Sequence, residues 1–486
     1  MDILSILIFL PLCGSLFILL LPKGAEAPIR FIGTFIAFVE LLISIYLYIV
    51  FDKANPDFQF VKNISWIPSL NINYFIGVDG VSIPMVFLTT FLSFLALIVS
   101  WNITTRVKEY FILFLVLETG IMGVFLALDL FLFYIFWELV LIPMYFLIGI
   151  WGGANRRYAA IKFILYTAAG SLVMLIGILS MYFVSEPHTF NIVELSKQGF
   201  SKSFQCFVFL LLFFGFAVKV PIFPFHTWLP DAHVEAPTAG SVILAGLLLK
   251  MGTYGFLRVS FPLLPEAAVT FSYAFAILGV INIIYGACTA MAQQDLKKMI
   301  AYSSISHMGY VLLAMASLTK TGLNGAVLQM FSHGVITGSL FMLVGVIYDR
   351  AHVRDIDAFG GIARQVPRYA SLMFFSCLAS LGLPGLAGFI SEFLCFAGAF
   401  PVFKILTIAS VSGIVITAVY LLWMLERMFL GELNPKYADL PDVDKREFLA
   451  LVPLVLVIFA VGVYPRIILD TLGPAISQLA VRLGGG

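Results

Sequence analysis

The sequence predicts an all-α polytopic membrane protein, and three observations carry that prediction. Of its 486 residues, 61% are hydrophobic and only 11% charged, with a mean hydropathy of +1.04. A soluble globular domain carries roughly 25% charged residues, so a chain of this composition needs lipid as its solvent. Apolar runs long enough to cross a hydrocarbon core recur from end to end, giving about fourteen spans of about 20 residues each. The longest polar interruptions, 53–80, 185–203, 349–368 and 429–447, are too short and irregular to read as soluble domains.

In chain order the expected spans fall near 3–22, 30–52, 82–102, 110–128, 130–150, 160–184, 206–228, 239–258, 270–291, 299–317, 323–348, 369–399, 402–428 and 448–470. The first opens with Asp2 and lacks the basic segment of a cleaved signal, so it reads as a span. An even number of crossings puts both ends of the chain on one side. With the ends outside, seventeen of the 28 Lys and Arg residues fall in inner loops and nine in outer loops or tails. That bias favours outside termini, since basic residues collect on the cytoplasmic side. Arg156–Arg157 and Lys297–Lys298 read as anchors of that topology, and the mixed-charge stretch 429–447 as a loop.

The two remaining basic residues, Lys219 and Lys250, lie within spans, as do Glu138 and Glu392. A charge at mid-membrane is disfavoured by about 2.5–3.5 kcal/mol on insertion scales, so each needs a partner, a water-filled cavity or a function. Glu138 stands at the centre of LFLFYIFWELVLIPMYFLIGI. Lys219 is followed directly by Pro221 and Pro224, which break a helix by removing backbone donors. A second break, SLGLPGLAGFISEFLCF, precedes Glu392. Interrupted helices beside buried charges point to a transporter's site, and two of them suggest two related halves. Lys250 ends the apolar run GSVILAGLLLK, where it either faces the interior or snorkels outward.

His307 and His333 lie on predicted spans between these charges. A row of glutamate, lysine and histidine suits proton hopping, whereas a metal ion needs clustered ligands. No metal site is therefore expected. His226 and His233 sit in HTWLPDAHVEAPT, read as a polar inner loop that marks either proton entry or simple solvation. The five cysteines show no metal-type spacing, no nucleotide-binding motif is present, and a net charge of +1 gives no reason to expect nucleic acid.

Three stretches, FWELVLIPMYFLIGIWGGANRRYAAIKFILYTAAGSLVML, FPFHTWLPDAHVEAPTAGSVILAG and QQDLKKMIAYSSISHMGYV, closely resemble the antiporter-like subunits of respiratory complex I. The resemblance covers nearly the whole chain and is most specific from Glu118 to Glu392. Within the family, IGIWGG, RRYAAIKF and LVGVIYDRAHVRDI look like the M branch, the counterpart of mitochondrial subunit 4. The sister L-type subunits carry a long lateral helix after the last span, and none is expected here.

The resemblance implies three N-terminal helices (1–109), two inverted five-helix repeats (110–258 and 270–428) with discontinuous seventh and twelfth helices, and a final helix with a tail (448–486). It makes Glu138, Lys219, Lys250, His307, His333 and Glu392 the proton-translocating residues. Protons would enter near His226–His233, load Lys219 and Lys250, cross His307 and His333 and leave at Glu392, gated by a Glu138–Lys219 pair. NADH, flavin, iron–sulfur clusters and quinone would belong to other subunits of the complex, leaving this chain without a cofactor. Its partners would be the lipid bilayer and other membrane-arm subunits, L and N nearest, in a bacterial inner membrane. The rival reading is a subunit of a multisubunit sodium/proton antiporter; a passive membrane spacer would tolerate apolar replacement of the buried charges.

Overall fold

The computed structural model describes residues 2–484. Among them seventeen helices of eight residues or more and one two-stranded hairpin form a single helical bundle. The helices are α1 (Ile3–Leu20), α2 (Glu26–Val50), α3 (Ser82–Asn102), α4 (Val107–Leu126), α5 (Leu130–Trp151), α6 (Arg156–Val184) and α7 (Lys202–Lys219). The short α8 (Trp228–Glu235) leads into α9 (Thr238–Leu263), α10 (Pro265–Met291), α11 (Leu296–Ala316) and α12 (Lys320–Ala351). Then come α13 (Pro367–Ser380), α14 (Ala387–Ala399), α15 (Lys404–Phe429), α16 (Lys445–Val463) and α17 (Arg466–Arg482). Thirteen of these are long and apolar enough to cross a membrane. The expected span 369–399 is instead shared between α13 and α14, neither long enough alone.

Enclosure follows sequence polarity. The outer helices α1, α2, α6 and α15 turn Phe17, Phe35, Leu172 and Ile405 outward, as a lipid-facing surface requires. By contrast the apolar stretches of α9 and α12 are wholly buried, and that of α11 almost wholly. These three enclosed helices carry Lys250, His307 and His333.

Two features lie outside the expected spans. The polar interruption 53–80 contains a β-hairpin, β1 (Gln59–Ile67) with β2 (Ile72–Val78), turned at Asn71 in the left-handed region. Aromatic and β-branched residues such as Phe60, Ile64, Tyr74 and Ile76 favour strand. The hairpin is fixed to the bundle where Leu128 N–H donates to the Phe75 carbonyl and Asn73 N–H to Asp129. The last span, expected to reach 470, ends at Val463 before Pro465, and α17 follows with its own polar face. Asp2 pairs with Lys62 of β1 at 2.6 Å, and Arg482 donates to the Ser196 carbonyl. Both described ends of the chain therefore meet the face that bears the hairpin. The opposite face joins the α3–α4, α5–α6, α8–α9, α10–α11 and α12–α13 connections.

Candidate functional site

Each break sits where the sequence cannot continue a helix. α7 ends at Lys219, and residues 220–227, with two prolines, run irregularly to α8. Non-helical backbone at membrane depth persists only where neighbours satisfy its polar groups. Asn282 of α10 does so from both sides: its Oδ1 accepts from Phe223 N–H at 2.8 Å and its Nδ2 donates to the Pro221 carbonyl at 3.2 Å. Trp228 Nε1 donates to the Val218 carbonyl at 2.9 Å. Replacing Asn282 with Leu orphans two buried backbone groups, so the chain should lose about 2–4 kcal/mol. Thermal inactivation of the solubilised complex would read that loss as an earlier transition.

Lys219 is 1% exposed and its Nζ has no hydrogen-bond partner. It lies over the Trp137 ring, 4.8 Å from the centroid, a contact that holds a cation without neutralising it. Glu138, the next residue along α5, is the charged group that acts on it through space. The expected Glu138–Lys219 pair is not closed: no ion pair joins them, and Glu138 Oε1 is buried without a partner. Helix α5 is irregular at Val140, just past Glu138, because Pro143 withholds a backbone donor there. Lysine and glutamate are thus neighbours without an ion pair, the lysine resting on the Trp137 ring.

Lys250 is fully buried, so it does not snorkel. It stands between two wider π-type turns of α9, Leu244–Leu248 and Phe256–Ser260. Such turns leave carbonyls free of the regular ladder, and Lys250 Nζ donates to one of them, that of Ala245. Its other contact is His333 Nδ1 at 2.6 Å, across the α9–α12 interface. One proton between these two nitrogens can be held by either.

From His333 the row continues. The His307 ring centroid lies 5.5 Å away. His307 Nδ1 meets Glu392 Oε1 at 3.1 Å, and Ser380 Oγ meets His307 Nε2 at 3.3 Å. A cavity of about 10 Å³, bounded by His307, His333, Gln329, Ser380 and Glu392, adjoins the unpartnered His333 Nε2. That is room for one water molecule. The α13–α14 break makes this corner: Gly382 and Gly385 take φ of +82° and +92°, which L side chains avoid. Glu392 Oε2 lies 3.3 Å from where a Gly382 Cβ would stand.

Two readings need correction. TWLPDAHVEAPT is not a solvated loop: α8 packs inside the bundle, and His233 is fully buried against the Phe341 ring at 4.5 Å with both ring nitrogens unpartnered. Its apolar neighbours Trp228, Leu229 and Ala232 share that burial. His226 is separate, bonded to Tyr285 Oη at 3.1 Å beside α10. Lys297 is more than a topology anchor. It is 7% exposed, donates to the Ala236 carbonyl at 2.5 Å, and lines a cleft of about 310 Å³ with Tyr110, Glu235, Asp349 and Arg354. Lys297 and Lys250 are the charges that act on His233. The Lys297–Lys298 doublet masked this difference, since only packing separates the two.

The fold and its two interrupted helices define a class, the polytopic helical subunits built around broken spans. Residues 127–417 match the family described as NADH:quinone oxidoreductase/Mrp antiporter, transmembrane. NADH-quinone oxidoreductase subunit M of Rhodobacter capsulatus is 45% identical over 98% of this chain and 96% of its own length. NADH-ubiquinone oxidoreductase chain 4 of Arabidopsis thaliana is 43% identical over 98% of this chain and 96% of its own. Among solved structures, a chain of respiratory complex I from Thermus thermophilus with bound NADH superposes with a TM-score of 0.92. It is 30% identical, over 99% of this chain and 100% of that one. The chain belongs to this family, in its NADH-quinone oxidoreductase subunit M branch.

Proposed function

We propose that this chain is the proton-translocating subunit M of an NADH-quinone oxidoreductase, and that Glu138, Lys219, Lys250, His307, His333 and Glu392 carry the protons. The observation that carries this reading is the row from Lys250 through His333 and His307, on three helices sealed from lipid, to Glu392 on α14. Protons enter at the Lys297 cleft, pass His233 to Lys250, and move to His333 by exchange across the 2.6 Å contact. One water in the small cavity carries them to His307 and Glu392. Lys219 over Trp137 is the open position of a switch, and its closure onto Glu138 stabilises the charged lysine.

Redox chemistry belongs to other subunits, which hold NADH, flavin, iron–sulfur clusters and quinone. Subunits L and N flank this one, the segments 110–258 and 270–428 are its two related halves, and the hairpin face with both termini lies outside the cytoplasm of a bacterial inner membrane. E138Q tests the reading. In the assembled complex, reconstituted in vesicles with a pH-sensitive dye, it should slow NADH-driven proton uptake at least about tenfold while leaving assembly intact. Wild-type pumping with wild-type quinone reduction would refute the switch. Sodium uptake in place of proton uptake would favour the antiporter reading.

A further inference from the structure

Helices α2, α3 and α4 carry none of the residues in that row, yet they enclose two carboxyl groups. Glu40 of α2 is 0% exposed and Glu118 of α4 is 1% exposed. All four of their side-chain oxygens are buried without a donor. Ser93 Oγ of α3, equally buried, is also unpartnered and stands beside Glu118. The two carboxyls meet within the α2–α4 contact, close enough for each to act on the other.

Among the described residues no cation offsets them. Arg30 of α2 is bound to Glu26 and to the Ile103 carbonyl, and Lys108 of α4 to the carbonyls of Leu19 and Leu21. Each lies ten helical residues from its carboxyl, about 15 Å. α3 bears no charge, and α1 contributes only Asp2, paired with Lys62. Glu138 of α5 and the Lys445–Glu447 start of α16 belong to neighbouring helices but act on neither carboxyl. Two adjacent carboxylates in an apolar interior cannot both stay ionised. One proton resolves the conflict: a carboxylic O–H donates to the facing carboxylate, and two otherwise orphaned groups satisfy each other. One turn along, Ser44 Oγ and Thr90 Oγ1 meet at 2.6 Å, extending the polar seam between α2 and α3 toward the hairpin face.

We propose that Glu40 and Glu118 form a buried proton-binding site of their own, a carboxyl pair sharing one proton, apart from the Lys250–Glu392 row. The ligand is a proton, held by two oxygens and exchanged through the Ser44–Thr90 seam.

Infrared difference spectroscopy of the purified complex in H2O and D2O tests this. The native complex should show, at neutral pH, a protonated-carboxyl C=O stretch that moves on deuteration and is lost in E40Q/E118Q. In E118Q the band should shift in frequency, because an amide replaces the partner of Glu40; this single variant decides the matter if the double variant does not assemble. A native spectrum whose protonated-carboxyl region is unchanged in both variants would overturn the proposal. So would a band that appears only when sodium is removed, since a metal cation would then be the occupant.

Discussion

K250M should abolish proton uptake by the reconstituted complex, with a loss of about a hundredfold or more, the scale of a positioned proton-transfer group. Methionine matches the lysine's length and apolar stem, so the fully buried site should stay filled. What disappears is the proton shared with His333 at 2.6 Å and the bond to the Ala245 carbonyl. Among the described residues no ion pair neutralises Lys250, so losing its contact with His333 cuts the row between its halves. Dye-detected proton uptake, with quinone reduction followed in parallel, reads the effect. If uptake continues at the native rate, Lys250 is not on the path. H333M would then be the informative comparison, because it breaks the same contact from the other side.

Gly309→Val should have the largest structural effect. Helices α10 and α11 touch backbone to backbone: a Cβ at Gly309 would stand 2.6 Å from the Gly279 carbonyl oxygen and 2.7 Å from Ile283 N. Gly279 and Gly286 make the reciprocal approach, to Leu313 N and Ser306 N. Small residues permit such contact between membrane helices, where packing rather than water drives association. Backbone atoms cannot step aside, so a valine must push the helices apart, at about 3 kcal/mol or more. His307, two residues earlier, moves with its helix away from Glu392. The expected result is little assembled complex on native gels, and a lowered thermal transition in what remains. Gly24→Ala, at a site with nothing within 4 Å, should leave both unchanged.

Much of this architecture was legible because hydropathy and proline are strong signals in lipid. The third span, expected at 82–102, is Ser82–Asn102, and the break expected after Lys219 falls there. The buried charges announced themselves through their rarity in such surroundings. What stayed hidden depends on contacts between distant segments. Nothing in TWLPDAHVEAPT shows that Phe341, more than a hundred residues on, will cover His233. Lys297 and Lys298 are identical letters until α8 packs over one of them. The hairpin was missed because strands of nine and seven residues leave a weak pattern inside a polar stretch. Glu40 and Glu118 do carry a readable signal, a carboxylate within an apolar run, but neither stands beside a helix break as Lys219 and Glu392 do. The resting place of Lys219, over the Trp137 ring and unpaired with Glu138, is likewise set by side-chain packing that the letters do not show.

The enclosure of the central helices bears on how the chain is made. α11 has a mean hydropathy of only 1.3 and α9 of 1.5, against 2.7 for α1 and 2.3 for α15, yet the former are the ones sealed from lipid. A nascent α9, with Lys250 and Arg258 aboard, is a poor candidate for release into a bilayer by itself. Arg258 has Asp79 as a partner made earlier, but Lys250 meets His333 only once α12 arrives, 83 residues later in synthesis. The peripheral helices must therefore act as a cradle during insertion, holding the polar spans next to the translocation machinery until the centre closes. A substitution that loosens the outer shell would then be felt first as degradation of newly made chains, before any effect on the protons that the finished protein moves.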